Sequence, residues 1–533
     1  MSDSPMKKQS FLGGAAVLAL ATAVVKVIGM FFKIPLQMVI GEAGYGYFTT
    51  AYDIYSVLLM VSTTGLPVAM SRMISEAQAL EQHAQIKKIY RVSFAVFMTI
   101  GLVGFAGMAI FCKQLATLLG QQDAWYAVLS LSPAVLFVCI ISSYRGFFQG
   151  QSNMMPTSIS QVMEALCKLF LGLGAAWFIM YQWDNVPMAA GGAIIGVSVG
   201  TVVASVYLAA KHKKADRLLT QSGGQTKTTK ETLLQLLAIA IPITIGSAGL
   251  QLINLVDAII YMHRLKGAAG FTQEEADVLK GIYNYCQTIF NLPCAFITAI
   301  TISAIPAITA HLATKNARGV HMVEASAIRI MGLIAMPCAF GLACLSAPIY
   351  QLLSSYTEAS LLTARPVLAI LGITVIFNCL VLVTNAIMQA HGDVTTPVIN
   401  MLIGGVIKVI INYILVGNPN IHIIGAAIGT LCCYAAITIM NLVAMRCKIK
   451  STISVPKLLA KTLLAAVIMG IVAIFAYRGV GMVIDSQRLC CLLAIAVAGV
   501  VYLALVVVLK VITIDDCALL PKGDKIAKIL RIR

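Results

Sequence analysis

Glu164 and Lys168 stand four residues apart in an otherwise apolar stretch, MEALCKLFLGLGAAWF. On a helix they share one face, with the acid first, the order that favours an ion pair. Lys408 repeats the lysine 240 residues later, but the residue four before it is Gly404. A charge at the centre of a bilayer costs at least about 2.5–3.5 kcal/mol on insertion scales, so it faces a partner, water or a ligand. Two readings fit Glu164 and Lys168: a structural pair that neutralises itself, or a cavity wall in which Glu164 shapes or gates the lysine. Lys408 needs an acid on another helix, or an anion in a wet cavity. An ammonium group suits phosphate or pyrophosphate as a point-charge partner.

Three more charged residues, Lys26, Asp53 and Asp257, join them in apolar runs. Lys26 precedes Lys33 by seven residues and can reach headgroups by snorkelling. Asp53 and Asp257 sit toward the ends of their runs and can pair with Lys26. Asn254 shares a face with Asp257 at i, i+3, and Asn284, Asn385, Asn400 and Asn412 add amides to later runs. Such amides bridge helices or hold a polar ligand such as a sugar. Lysines at mid-membrane favour an anionic substrate, whereas a drug-cation exporter needs bare carboxylates.

The elements that must carry these residues are membrane helices. The chain of 533 residues is 59% hydrophobic and 11% charged, with mean hydropathy +0.90. Soluble domains carry about 25% charged residues. A hydrocarbon core about 30 Å thick takes roughly 20 helical residues to cross. Fourteen runs qualify: 11–32, 47–70, 89–111, 125–148, 157–181, 188–210, 232–262, 282–310, 325–346, 366–389, 395–416, 423–445, 457–477 and 490–511. The first is too long for a signal peptide, holds Lys26 and leads to no small-residue cleavage site, so it reads as a retained helix.

With both termini in the cytoplasm, 27 of the 38 Lys and Arg fall on inside segments, 8 outside and 3 within helices. That bias sets the orientation and accounts for the +17 net charge without nucleic acid. The 14 cysteines show no metal-ligand spacing and read as small hydrophobes. No GxxxxGK[ST] loop is present, so no ATP-driven pump is expected. No cofactor or metal is expected; a coupling ion stays open.

An internal repeat organises the chain. Pro67 matches Pro306 at an offset of 239, Gln149 matches Gln389 and Lys168 matches Lys408 at 240, and GGAIIG at 191–196 resembles GAAIG at 425–429. Two six-helix halves follow, parallel because six is even. The expected layout is an N-lobe at 1–210, a basic linker at 211–231, a C-lobe at 232–450, two further helices at 451–512 and a basic tail at 513–533. Transporter sites sit at repeat interfaces near the midplane. Between the fourth and fifth runs lies RGFFQGQSNMMP. Arg145 there reads as snorkelling, Gly146 and Gly150 suit a turn, Gln149 repeats, and Pro156 suits a first helical turn. The loop reads as a hinge for alternating access rather than a substrate contact.

GLPVAMSRMISEA, RGFFQGQSNMMPTSISQVMEA and the terminal LPKGDKIAKIL together resemble the polysaccharide-transport branch of the multidrug/oligosaccharidyl-lipid/polysaccharide (MOP) flippase superfamily. Within it the chain is similar to the stage V sporulation protein B group, relatives of the lipid II flippases. The resemblance implies an all-α, fourteen-helix bundle of two lobes, with helices 13 and 14 forming a groove for a lipid tail. It implies movement of an undecaprenyl-pyrophosphate-linked sugar between leaflets, with no bond made or broken. KVIGMFFK resembles the basic element of the first helix in lipid II flippases: Lys26 matches directly, Lys33 more loosely. Their basic positions in helices 2 and 8 fall here on Leu59 and Thr288, and Lys168 and Lys408 can supply the missing charge.

The expectation is a monomeric flippase in the bacterial cytoplasmic membrane, with a cationic site of Lys26, Lys33, Lys168 and Lys408. Its partners are membrane lipids, a lipid-linked sugar and, in one reading, cell-wall synthesis enzymes. A multidrug antiporter predicts an acid in the first helix, where Lys26 stands instead. A non-transporting scaffold predicts dispensable lysines. A membrane glycosyltransferase would use the outer loop 263–281, but Glu274, Glu275 and Asp277 show no catalytic spacing.

Overall fold

A computed structural model describes residues 11–218, 227–449 and 452–511. Every regular element among them is helical, as a lipid environment demands of backbone that must satisfy its own hydrogen bonds. The basic tail 513–533, Lys7, Lys8 and linker residues 219–226 lie outside the described residues.

The described chain divides into two compact units between Met262 and His263. The first begins with α1 (Phe11–Met60), broken at Gly41, whose φ of 70° and ψ of −171° suit glycine alone. The break separates the first two expected segments. A π-turn at Val61–Gly65 leads into α2 (Leu66–Ala79), with Pro67 in its first turn. Next come α3 (His83–Ile110), a short α4 (Cys112–Leu118) and α5 (Trp125–Gly150). α6 (Met155–Cys167) passes through a second π-turn, Lys168–Gly172, into α7 (Leu173–Trp183). α8 (Val186–Leu218) and α9 (Thr229–Gly267) follow, the unit boundary falling within α9. Leu66, Met70 and Ile74 of α2, Phe147 and Phe148 of α5, Leu208 of α8 and Leu236 of α9 form one core.

The second unit holds α10 (Gln273–Ala313), α11 (Ala317–Cys344), a short α12 (Ser346–Leu353), α13 (Glu358–Ala390), α14 (Thr395–Val416) and α15 (Ile424–Ala444). α16 (Val455–Gly481) and α17 (Gln487–Val508) complete it. They pack on α11. Leu459 presses on Gly332, and the Tyr502 hydroxyl donates to the Leu333 carbonyl at 2.9 Å.

Eleven helices among the described residues are long and apolar enough to cross a membrane. That figure counts the kinked α1 once and omits α9 and α10, which cover the seventh and eighth expected segments. α14 shows how such a helix is patterned. Ile403, Val406, Ile410 and Ile414 are exposed along one face, while Asn400, Gly404 and Asn412 are buried on another. In lipid the apolar face points outward and the polar positions inward.

Three loop expectations change. The turn expected at Gly146 and Gly150 falls later, because α5 stays helical to Gly150 and the chain reverses at 151–154, with Ser152 at φ 58°. The two glycines instead let α5 approach α2. A Cβ on Gly146 would lie 3.2 Å from the Pro67 carbonyl oxygen, and one on Gly150 2.7 Å from Ile74 Cβ. Linker residues 211–218 continue α8, where Lys87 reaches Asp216 at 3.8 Å. The long outer loop 263–281 shrinks to a short connection between α9 and α10. At the start of α10, Glu275 forms a capping box with Thr272, and Gln273 donates to Asp277 at 2.8 Å.

Candidate functional site

The α6–π-turn–α7 segment places Ser160, Glu164, Lys168 and Gly172 at every fourth position. Gly172 and Gly196 of α8 seat it. A Cβ on Gly196 would meet Gly172 Cα at 2.6 Å, and one on Gly172 would meet the Ala193 carbonyl oxygen at 2.6 Å. The glycine-rich run noticed in the sequence is therefore the packing surface behind the site. Lys168 opens the π-turn, a local widening that often marks functional positions in helices.

In front of this stripe lies a cavity of about 300 Å³ within the first unit, lined among others by Tyr52, Tyr55, Arg145, Gln161, Glu164 and Lys168. Small-molecule pockets start at about this volume. Glu164 does not take Lys168 as its partner. Its Oε2 accepts from Arg145 Nη2 at 3.2 Å, and Arg145 Nε donates to Ser160 Oγ at 3.1 Å. Ser160 Oγ in turn donates to the Thr157 carbonyl at 2.7 Å. Arg145 thus turns into the cavity instead of snorkelling from a helix end.

Lys168 Nζ is held by rings. It lies 4.8 Å from the centroid of Phe32, 4.7 Å from Tyr52 and 5.8 Å from Phe48. Each such contact contributes about 0.5–2 kcal/mol, depending on desolvation. An aromatic face attracts a cation without cancelling its charge, so the ring contacts leave the Lys168 ammonium available to a ligand at the cavity wall. The rings support one another, with centroids 5.7 Å apart for Phe32 and Phe48 and 4.9 Å for Phe48 and Tyr52.

The remaining expected residues are placed as follows. Lys33 is half-buried on α1 and within electrostatic reach of Lys168. Lys26 is exposed on α1, on a turn whose neighbours Val25 and Gly29 line the cavity. Asp53 is half-buried on α1. On α9, Asn254 is exposed and Asp257 buried, and neither lines the cavity. Asn284, Lys408 and Asn412 belong to the second unit, where Lys408 is half-buried and within electrostatic reach of Tyr434. Gln149 closes α5 and Pro156 sits in the first turn of α6. The structure brings together Arg145, Glu164 and Lys168, with Lys33 close by.

The cage of Phe32, Phe48 and Tyr52 was not foreseen. Phe48, Tyr52 and Tyr55 recur at i, i+4, i+7, but an aromatic stripe at that spacing reads as ordinary core. The repeat positions in the second unit carry a different chemistry. The offset of 240 takes Arg145 to Asn385, Ser160 to Asn400 and Glu164 to Gly404. There Asn400 donates to Asn441 at 2.8 Å, and Asn441 donates to Asn385 at 2.7 Å and Thr384 at 2.9 Å. A neutral amide cluster ties α13, α14 and α15 where the first unit has a charged pair.

A family model described as polysaccharide biosynthesis protein matches residues 11–311, and one described as MatE matches residues 281–414. The chain is similar to the lipid II flippase MurJ of Bacillus subtilis, at 26% identity over 92% of this chain and 94% of the relative. It is also similar to stage V sporulation protein B of the same organism, at 25% identity over 97% and 98%. Among solved structures, a lipid II flippase MurJ in an inward closed conformation superposes with a TM-score of 0.67 at 15% identity, covering 92% of this chain and 98% of that one.

Proposed function

Because this chain belongs to the polysaccharide biosynthesis protein family, in the MOP flippase superfamily, we propose that it moves a diphosphate-linked sugar lipid between membrane leaflets. The substrate is lipid II or a related cell-wall or polysaccharide precursor, carried from the inner to the outer leaflet of the bacterial cytoplasmic membrane by alternating access. No bond is made or broken.

The observation that carries this reading is the cavity holding Arg145 and the ring-held Lys168 on one wall. A guanidinium matches phosphate oxygens in a planar fork, and an ammonium adds a point charge. Lys26 and Lys33 add cations on α1; in the second unit Lys408 adds another, and amides such as Asn284 and Asn412 suit a sugar. A cation exporter on the same fold would need a carboxylate free to meet its substrate, and Glu164 is already engaged by Arg145.

The test depletes a cell's own lipid II flippase and supplies this protein as wild type, Lys168→Ala, Lys408→Ala and Lys26→Ala, with expression checked by blot. Growth and outer-leaflet lipid II restored by wild type but not by well-expressed lysine variants is the expected result. No rescue by well-expressed wild type points to another lipid-linked sugar. Rescue by all three variants removes the lysines from the site.

A further inference from the structure

Glu164 lies in the ideal position to pair with Lys168, one turn away on the same helix face. It pairs instead with Arg145 on a different helix, through one contact at 3.2 Å rather than a two-bond fork. The two side chains are 16% and 27% exposed, so the pair is reachable from the cavity. Arg145 has five N–H donors. One goes to Ser160 and one to Glu164, and the other three have no hydrogen-bond partner among the described residues.

We propose that Glu164 is a resident counter-anion for Arg145, displaced when a ligand's phosphate group enters the cavity. This rests on the reading that the cavity takes a phosphorylated headgroup. With Glu164 in place, Arg145, Lys168 and Glu164 sum to one positive charge. Once it swings away, two cations face the ligand. Tyr52 and Tyr55 line the same cavity, and their hydroxyls can donate to the displaced carboxylate. Its return to Arg145 then helps expel the ligand.

The repeat supports this. At the positions related by the offset of 240, Asn385 and Asn400 join their helices through Asn441 without charge, and Gly404 stands where the acid would be. Packing at this place in the fold does not require an ion pair, and the acid is present in the half where the arginine is. A structural pair and a counter-anion also predict opposite signs for one substitution. Neutralising Glu164 weakens the former site and frees the arginine in the latter.

The test measures ligand-induced thermal stabilisation of the purified full-length protein in detergent. The probes are inorganic pyrophosphate and farnesyl diphosphate. The variants are Glu164→Gln, Arg145→Gln and the double substitution. Glu164→Gln is expected to reach half-saturation at about fivefold lower concentration of both probes, the factor for one partly exposed ion pair. Arg145→Gln and the double variant are expected to bind more weakly than wild type. Should Glu164→Gln destabilise the fold, Glu164→Asp draws the carboxylate back by one methylene and must tighten binding in the same direction. Equal or weaker binding by the Glu164 variants, with wild-type binding intact and Arg145→Gln impaired, overturns the counter-anion while leaving the cavity a diphosphate site. No stabilisation of any variant by either probe removes the diphosphate reading and this inference with it. Tightening with both probes supports the displacement, and a higher affinity for farnesyl diphosphate assigns the ligand to a lipid-linked source.

Discussion

Gly196 lies behind Lys168 at a close backbone contact of the first unit, and its replacement by alanine gives a prediction of definite sign. A Cβ there would meet Gly172 Cα at 2.6 Å and the Leu171 carbonyl carbon at 3.1 Å, where ordinary contact begins at 3.4 Å. The Gly172 backbone nitrogen lies closer still; all of these obstacles are backbone, so no rotamer change relieves them, and α8 must retreat from the π-turn. Overpacking of this kind costs about 1–3 kcal/mol. Alanine returns up to about 1 kcal/mol through its helix propensity. The net loss of up to about 2 kcal/mol lowers the melting temperature by up to roughly 4–8 °C in a mid-sized domain, and by less in a larger chain. Gly107→Ala is the control, because a Cβ at that helical position meets nothing within 4 Å. It should leave the melting temperature unchanged or raise it. Thermal unfolding of both purified variants in one detergent reads the difference. Since Gly172 ends the turn that Lys168 begins, Gly196→Ala should also shift half-saturation by pyrophosphate. A Gly196→Ala protein as stable as Gly107→Ala would refute the packing argument and detach the glycine run from the site.

Other tests address single contacts. Tyr52→Leu removes the ring 4.7 Å from Lys168 Nζ, and about 0.5–2 kcal/mol of support for that cation. Flippase complementation should fall without loss of expression, and Tyr52→Phe, which keeps the ring, should restore it. Asn441→Leu strands the amides of Asn385 and Asn400 in the second unit. At about 0.6–1.7 kcal/mol per interhelical bond, thermal unfolding should shift downward measurably. Asp393 receives hydrogen bonds from the Thr396 hydroxyl and backbone and lies beside Lys448, which hold its carboxyl below its ordinary value of 3.8. A depressed pKa means the ionised form stabilises the fold above that value, and the contribution fades as pH falls through the folded-state pKa. Wild type should therefore lose more stability than Asp393→Ala between neutral pH and pH 3, as read by melting temperature against pH.

Much of the architecture was legible in the residues. Apolar runs located the helices, because a bilayer leaves the backbone few alternatives. The break at Gly41 was not legible, since glycine is common within membrane helices and only its φ identifies a kink. The roles of Gly146 and Gly150 were misplaced for a related reason. The same residue type serves a turn or a close helix contact, and the neighbouring helix decides which. The repeat offset of 240 placed Lys168 and Lys408 in register, yet it could not show that Arg145 and Glu164 form a charged pair while Asn385 and Asn400 join a neutral cluster.

The sequence alone determined that charges sit where charges are costly, at Glu164, Lys168 and Lys408, and that one glycine run recurs in each half. Those are local facts, because insertion cost and helical spacing depend on a residue and its near neighbours. Tertiary structure decided who meets whom. Glu164 bypasses the lysine one turn away for an arginine on another helix, and Lys168 rests among Phe32, Phe48 and Tyr52. Side-chain partners across helices depend on how closely two backbones approach. Behind the site, between the π-turn and α8, that distance is set by Gly172 and Gly196, in contact in the fold.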